Sequence, residues 1–166
     1  MAVRTVARRY SQAFIELVGD KKADSFGEEI SSFLAIAQAN DGALFKALAN
    51  PVFTLTERRA ALDAVLKKLK PQGLTSNLLK LLLEKGRFGL LPDVVAAYQE
   101  LADAKAGRTR VKVTTASPLT GQLEAELRAR LEKVTGKTVV LESDVDPALI
   151  AGMIARVGST VYDSSI

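Results

Sequence analysis

Apolar residues recur at helical spacing through the first two thirds of the chain. The first set occupies positions 10, 13, 14, 17 and 18, which lie on one face of a helix. Comparable sets follow, each ended by Gly, by Pro or by a polar turn. Together they predict an N-terminal six-helix bundle, with helices around residues 10–18, 25–37, 44–48, 54–69, 76–85 and 92–107.

Local signals mark several of these helix ends. Ser25 with Glu28, and Thr54 with Glu57, have the spacing of a capping box, in which each side chain accepts a bond from the other residue's backbone N–H. Gly86 follows the fifth helix at the position that favours a left-handed residue. These signals predict helix starts at Ser25 and Thr54 and a helix end before Gly86.

The fifth predicted helix carries more leucine than a single buried stripe requires. Its leucines occupy positions 78, 79, 81, 82 and 83. A helix of this kind either lies at the centre of a bundle or has a second apolar face that awaits a partner. The second alternative predicts a groove that accepts an amphipathic helix.

The pattern changes after residue 107. Residues 108–114 alternate between polar and apolar side chains, which predicts a half-buried strand. A helix is predicted from Thr120, and further strands at 138–141 and 153–157, the last ended by Gly158. A helix between two strands favours a parallel pair. The apolar face of this helix is predicted to comprise Leu123, Leu127, Leu131 and Val134.

These patterns predict two domains. Residues 1–105 form the helical bundle, and residues 106–166 form a small α/β domain with a three- to four-stranded sheet. Six Phe and two Tyr precede the boundary, whereas one Tyr follows it, so the second core is predicted to be aliphatic. The fold class of the whole chain is therefore α+β.

The composition excludes several kinds of chemistry. The 166 residues include no Cys and no His, which excludes disulfides, thiolate nucleophiles and imidazole bases. Gly136-Lys137-Thr138 resembles the end of a phosphate-binding loop, but position 131 is Leu where that motif requires Gly. Asp144 and Asp146 are expected to form a turn rather than a cation site. We therefore predict a protein that is not an enzyme and that holds no cofactor or metal.

The net charge of +4 leaves one alternative function open. Arg108, Arg110 and Lys112 share one side of the first predicted strand. They could bind RNA or an acidic helix, face only water, or protect a strand edge. The alternative function is an RNA-binding accessory protein that uses this strand and the basic helix pairs Arg8-Arg9, Arg58-Arg59 and Lys67-Lys68. No aromatic residue interleaves with the charges of the strand, which weakens the RNA alternative.

Several segments resemble one known family. The opening helix, the Asn50-Pro51 break and the stretch 146–158 are the main ones, and segments at 77–94 and 116–119 agree with them in order. They resemble the ATP synthase delta subunit, the bacterial counterpart of the mitochondrial oligomycin-sensitivity-conferring protein. The resemblance extends over nearly the whole chain.

The resemblance implies a non-catalytic stator subunit of the rotary F-type ATP synthase, present once per complex. The helical domain would bind the top of the catalytic alpha/beta head, and the second domain would bind the b subunits of the peripheral stalk. No nucleic acid is expected as a partner. The expected location is the cytoplasmic face of the bacterial inner membrane, or an organelle inner membrane, reached only through the complex.

The resemblance also implies a partner site. In the family, the first and fifth helices form an apolar groove for the N-terminal helix of one alpha subunit. Carried over to this sequence, the groove residues are Tyr10, Ala13 and Phe14 from the first helix and Asn77, Leu78 and Leu81 from the fifth.

Overall fold

A computed structural model describes residues 2–157 and 160–163 of the chain. Its contacts divide the chain into two compact units, Met1–Ala102 (unit 1) and Asp103–Ile166 (unit 2). The division falls inside the sixth predicted helix, at residues 92–107, and lies three residues before the boundary predicted after residue 105. Each unit has its own hydrophobic core.

Unit 1 is helical. Short 3₁₀ turns at Asp20–Lys22 and Phe88–Leu90 connect its longer elements. The five α-helices are α1 (Ala2–Val18), α2 (Ala23–Ala49), α3 (Leu55–Leu69), α4 (Gly73–Glu84) and α5 (Leu91–Ala106), whose last turn belongs to unit 2.

The prediction of six separate helices is wrong in one place. The predicted second and third helices both lie within α2, which has a break at residues 39–42. Asn40, Asp41 and Gly42 have φ angles of 53°, 60° and 72° there. Asn, Asp and Gly tolerate this left-handed conformation better than other residues. The chain therefore changes direction within α2 without an intervening loop.

One predicted capping box is confirmed and the other is wrong. Before α3, the Glu57 N–H donates to Thr54 Oγ1 at 3.2 Å and the Thr54 N–H donates to Glu57 Oε2 at 2.8 Å. Helix α2 begins at Ala23, so Ser25 lies inside its first turn. There the Ser25 hydroxyl donates to the Lys22 carbonyl at 3.1 Å instead of capping the helix.

The end of α4 has the geometry that Gly86 predicts. Gly86 has a φ of 65°, and its N–H donates to the Leu83 carbonyl at 3.1 Å. The next N–H, that of Arg87, donates to the Leu82 carbonyl at 2.8 Å. This pair of bonds is the Schellman motif. It fixes the backbone of Arg87 directly after α4.

The core of unit 1 is centred on aromatic rings. Phe26 is fully buried between Phe14, at 5.8 Å between ring centroids, and Tyr98, at 5.0 Å. The Tyr98 hydroxyl donates to the Ala23 carbonyl at 2.7 Å. Burial, together with nearby Asp24, raises the pKa of Tyr98 to about 12. The phenol therefore stays a neutral donor that connects α5 to the start of α2.

Unit 2 contains a four-stranded mixed sheet and one helix, α6 (Gly121–Thr135). The strands are β1 (Arg108–Thr115), β2 (Thr138–Val145), β3 (Met153–Val157) and β4 (Thr160–Asp163). Their order across the sheet is β2-β1-β3-β4. The predicted parallel pair is confirmed for β1 and β2, whereas β3 runs antiparallel to both β1 and β4.

The core of unit 2 is small and aliphatic. Leu127 and Leu131 of α6 pack against its four buried side chains, which are Val111, Val113, Val139 and Ala155. Leu123 and Val134, predicted to share the buried face of this helix, are 53% and 78% exposed. The small core covers only the middle of the helical stripe, and its ends remain in solvent. Gly158, predicted to end the third strand, lies outside the described residues.

Candidate functional site

Helix α1 buries one of its two apolar faces in the core of unit 1. Four residues of this face are buried, and the Ser11 hydroxyl among them donates to the Val94 carbonyl of α5 at 2.9 Å. The buried residues of α1 are Ala7, Ser11, Phe14 and Ile15.

The second apolar face of α1 is largely accessible, although Tyr10 packs against the core of unit 1. Val3 and Leu17 are 47% and 64% exposed, Ala13 is exposed, and Val6 and Tyr10 are half-buried. These five positions alternate between spacings of three and four residues. That spacing is the one with which a helix presents a continuous seam to a second helix.

Helix α4 divides its side chains in the same way. Its core face comprises Thr75, Leu78, Leu79, Leu82 and Leu83, all buried. Leu74, Asn77 and Leu81 remain accessible, with Leu74 and Leu81 half-buried and Asn77 exposed. They also follow a spacing of three and then four. We call the accessible residues of the two contacting helices the α1/α4 surface: Val3, Val6, Tyr10, Ala13, Leu17, Leu74, Asn77 and Leu81.

The six groove residues expected from the sequence fall into two groups. Phe14 and Leu78 are 6% and 1% exposed and pack inside the chain's own core. The other four are accessible and belong to the α1/α4 surface: Tyr10, Ala13, Asn77 and Leu81. Phe14 and Leu78 thus pack α1 and α4 onto the core of unit 1. The four accessible residues form the part of the expected groove that is open to solvent.

Sequence reasoning missed four members of this surface. Val3 and Val6 extend it toward the start of α1, Leu17 extends it toward the end, and Leu74 extends it on α4. The alternating spacing of three and four residues is the signal that could have identified them. The sequence stripe at 10, 13, 14, 17 and 18 combined positions from both faces of α1.

Tyr10, the middle α1 residue of this surface, makes a polar contact with Arg87. The Arg87 guanidinium donates to the Tyr10 hydroxyl at 3.0 Å, and its Cζ lies 5.9 Å from the centre of the Tyr10 ring. The contact joins α1 to the turn after α4. Arg87 is itself exposed.

The charged side chains Lys80 and Glu84 of α4 lie next to oppositely charged residues of α3. Glu84 is paired with Arg59, whose hydrogen bond lowers the pKa of Glu84. Lys80 lies 4.0 Å from Asp63. The α3 side of α4 is therefore ionic, whereas its accessible side next to α1 is mainly apolar.

Comparison with known proteins decides the family. The family model described as "ATP synthase delta (OSCP) subunit" matches residues 6–166. The chain belongs to the ATP synthase delta (OSCP) subunit family. It is a non-catalytic stator subunit of the F-type ATP synthase, acting with the peripheral stalk in proton-driven ATP synthesis.

Individual relatives agree with this family. ATP synthase subunit delta of Syntrophus aciditrophicus (strain SB) is 39% identical over 97% of this chain and 89% of its own length. The subunit of Myxococcus xanthus (strain DK1622) is 35% identical over 98% of this chain and 90% of its own. A chain in the cryo-EM structure of the Toxoplasma gondii mitochondrial ATP synthase hexamer has the same fold, with a TM-score of 0.71 at 22% identity, over 96% of this chain and 90% of that one.

The basic residues of β1 do not protect a sheet edge, which was one of the roles considered for them. β1 lies between β2 and β3, so its charges do not protect a sheet edge. Arg110 donates to Asp103 at 2.6 Å and to Glu142 at 3.2 Å, and Lys112 lies 3.0 Å from Asp144. The hydrogen bonds that Arg110 donates to Asp103, and secondarily to Glu142, raise the pKa of Arg110.

Arg108 also lies 3.2 Å from Asp103, so all three basic side chains of the strand have acidic partners within unit 2. Their charge is compensated within the unit. This compensation removes the contribution of β1 to the RNA-binding alternative.

The remaining sequence motifs have structural roles. Gly136 has a φ of 68° and caps the end of α6, with β2 following it, so the order of elements is not that of a phosphate-binding loop. Asp146 Oδ1 accepts a bond from the Ala148 N–H at 2.9 Å and shapes a turn. Within residues 2–157 and 160–163, no group of three or more acidic side chains could hold a metal ion. No helix in this part of the chain is long and apolar enough to cross a membrane.

Proposed function

We propose that this delta-family chain joins two parts of the ATP synthase stator through separate units. The α1/α4 surface of unit 1 binds the N-terminal helix of one catalytic alpha subunit. Unit 2 binds the b subunits of the peripheral stalk. One copy per complex holds the catalytic head still against rotor torque. The joint lies at the cytoplasmic face of the bacterial inner membrane and reaches the membrane only through the complex.

The second apolar face of α1, a stripe from Val3 to Leu17, is the main observation that supports binding to the catalytic head. Val3, Ala13 and Leu17 in this stripe are exposed, and Tyr10 packs against the core of unit 1 while remaining only half-buried. Ala13 is a small residue between Tyr10 and Leu17, and a small side chain lets a partner helix approach closely. An amphipathic helix with its own seam of apolar residues would cover this stripe and the matching one on α4.

The strength of such a contact is limited. Burial of a large aliphatic side chain contributes about 1.5–3 kcal/mol, so four anchors give about 6–12 kcal/mol. Association costs about 4–15 kcal/mol in lost freedom. A single docked helix therefore gives a moderate affinity, and a second attachment through unit 2 raises the overall affinity by making the first one intramolecular.

Exposed apolar side chains on unit 2 support the stalk-binding part of the proposal. Val134 is 78% exposed, Ile150 is 84% exposed and Tyr162 is 56% exposed. Because the cations of β1 are already compensated, we expect an apolar contact with the stalk rather than an ionic one.

The proposal is tested by titrating the full-length, ¹⁵N-labelled chain with a synthetic peptide of the alpha-subunit N-terminal segment. We expect amide shifts along the α1/α4 surface, at Val3, Ala13, Leu17, Asn77 and Leu81, and unchanged shifts in β1 to β4. A C-terminal fragment of the b subunit should give the converse pattern. Peptide shifts confined to unit 2, or no shifts at saturating peptide, would contradict the head-binding assignment.

A further inference from the structure

We propose that Arg87 recognises a carboxylate of the helix that docks on the α1/α4 surface, and so determines the direction in which that helix binds. This inference rests on the proposed function, because it needs a helix docked there. It adds a polar specificity determinant to a site otherwise described by apolar residues.

The backbone position of Arg87 is fixed. Its N–H bond to the Leu82 carbonyl completes the Schellman motif after α4, at 2.8 Å. Its side chain then crosses to α1 and donates to the Tyr10 hydroxyl at 3.0 Å. The guanidinium is thereby held beyond the Leu81 end of the accessible row of α4, beside the middle position of the accessible stripe of α1.

The guanidinium has capacity for a further partner. A guanidinium has five N–H donors, and the side-chain hydrogen bond and ring contact of Arg87 within the described residues are both with Tyr10. The Tyr10 oxygen accepts that bond, so its own O–H remains able to donate. Two donor groups and a full positive charge therefore meet at one point of the surface.

Arg87 differs from other arginines of the chain in the group it contacts. Arg59 and Arg110 both bind carboxylates, those of Glu84 and Asp103. Arg87 binds a neutral phenol and remains exposed. The nearest acid along the chain, Glu84, is already paired with Arg59. The charge of Arg87 is thus available to an acidic group from outside this part of the chain.

A charge beyond one end of the α4 row makes the two orientations of a docked helix different. Apolar stripes with regular spacing accept a partner helix in either direction with similar contacts. A carboxylate near one end of the partner reaches Arg87 in one direction and leaves it unpaired in the other. Discrimination of this kind depends on the cost of the wrong arrangement as well as the gain of the right one.

The test is calorimetric titration of the full chain with the alpha N-terminal peptide at low salt. A hydrogen bond to a charged group corresponds to roughly a 10- to 100-fold change in affinity. We expect Arg87→Gln to weaken binding by about that factor and Arg87→Lys to recover part of it, because Lys keeps the charge and loses the planar fork. Arg130→Gln, which removes an exposed charge on α6, is the matched control and should leave affinity unchanged.

A double-mutant cycle separates direct recognition from a structural role. Each Asp or Glu of the peptide is changed to its amide in turn. One such change should weaken binding to the wild-type chain and have little effect on the Arg87→Gln chain, and this coupling should decrease as salt is added. If Arg87 only supports Tyr10, then Tyr10→Phe will match Arg87→Gln and no peptide acid will couple to Arg87. That result would overturn the inference.

The two proposals fail in different ways. If the wild-type chain does not bind the peptide, the head-binding assignment fails and this inference fails with it. If the peptide binds equally well to the wild-type and Arg87→Gln chains, the assignment stands and only the role of Arg87 is lost.

Discussion

The Leu81→Asp variant is expected to lose binding of the alpha-subunit N-terminal peptide, by roughly 100-fold or more. Leu81 lies half-buried on the accessible side of α4. A docked helix would cover it, and the Asp carboxylate would then be buried without a partner. Leu81→Ala, which removes only apolar contact, should give an intermediate loss of about tenfold.

A variant on α1 checks this expectation without touching α4. Ala13 is exposed, so Ala13→Trp should leave unit 1 folded while the indole blocks the close approach of a partner helix. Gln12→Trp makes a comparable addition one residue away and outside the stripe, and is expected to bind normally. Calorimetry gives the affinities, and circular dichroism verifies folding. Normal affinity in both Leu81→Asp and Ala13→Trp would remove the α1/α4 surface from the account.

Phe26→Ala is expected to have the largest effect on stability, lowering the free energy of unfolding by about 3–5 kcal/mol. Phe26 is fully buried and contacts the rings of Phe14 and Tyr98. Its loss leaves a cavity that two large rings cannot fill without leaving their own positions. Urea denaturation followed by the helical signal measures the change.

The matched control for this variant is Phe53→Ala. Phe53 is 44% exposed in the segment before α3, so the same chemical change should cost well under 1 kcal/mol. Equal decreases in the free energy of unfolding for the two variants would show that the contacts of Phe26 with Phe14 and Tyr98 do not stabilise unit 1. Phe14 belongs to α1 and packs against Phe26. Phe26→Ala should therefore disturb the position of α1 and weaken peptide binding as well.

The sequence predicted the elements whose signals are local. The capping box at Thr54, the glycine at position 86 and the alternation in β1 each report an arrangement made by neighbouring residues. Such arrangements need few distant contacts, although the equally local signal at Ser25 and Glu28 did not form a cap. For that reason the mostly helical N-terminal part and the sheet with one helix that follows it could be predicted without the structure.

Features that depend on packing partners could not be read from the sequence. Phe14 and Ala13 are adjacent in sequence, yet the first is in the core and the second is in solvent. Which of them a partner can contact depends on where α2 and α5 lie. Likewise, Leu123 and Leu127 look equivalent along α6, and only the extent of the small core in unit 2 distinguishes them.

The role of the basic residues of β1 could not be decided from the sequence for a related reason. Their alternation is visible in the sequence, but their acidic partners come from the end of α5 and from β2. The parallel register places Lys112 opposite Glu142 and Thr114 opposite Asp144. Charge compensation across strands depends on that register, which the composition of one strand does not contain.

The most direct test of the central claim is disulfide formation inside the assembled ATP synthase. The chain has no Cys, so Asn77→Cys introduces a single thiol on the α1/α4 surface. With a second thiol stepped through the alpha N-terminal segment, mild oxidation should join this chain to one alpha subunit, whereas Arg130→Cys on α6 should give no such product. An intact complex in which Asn77→Cys never links to alpha, or links no more than Arg130→Cys does, would contradict the account.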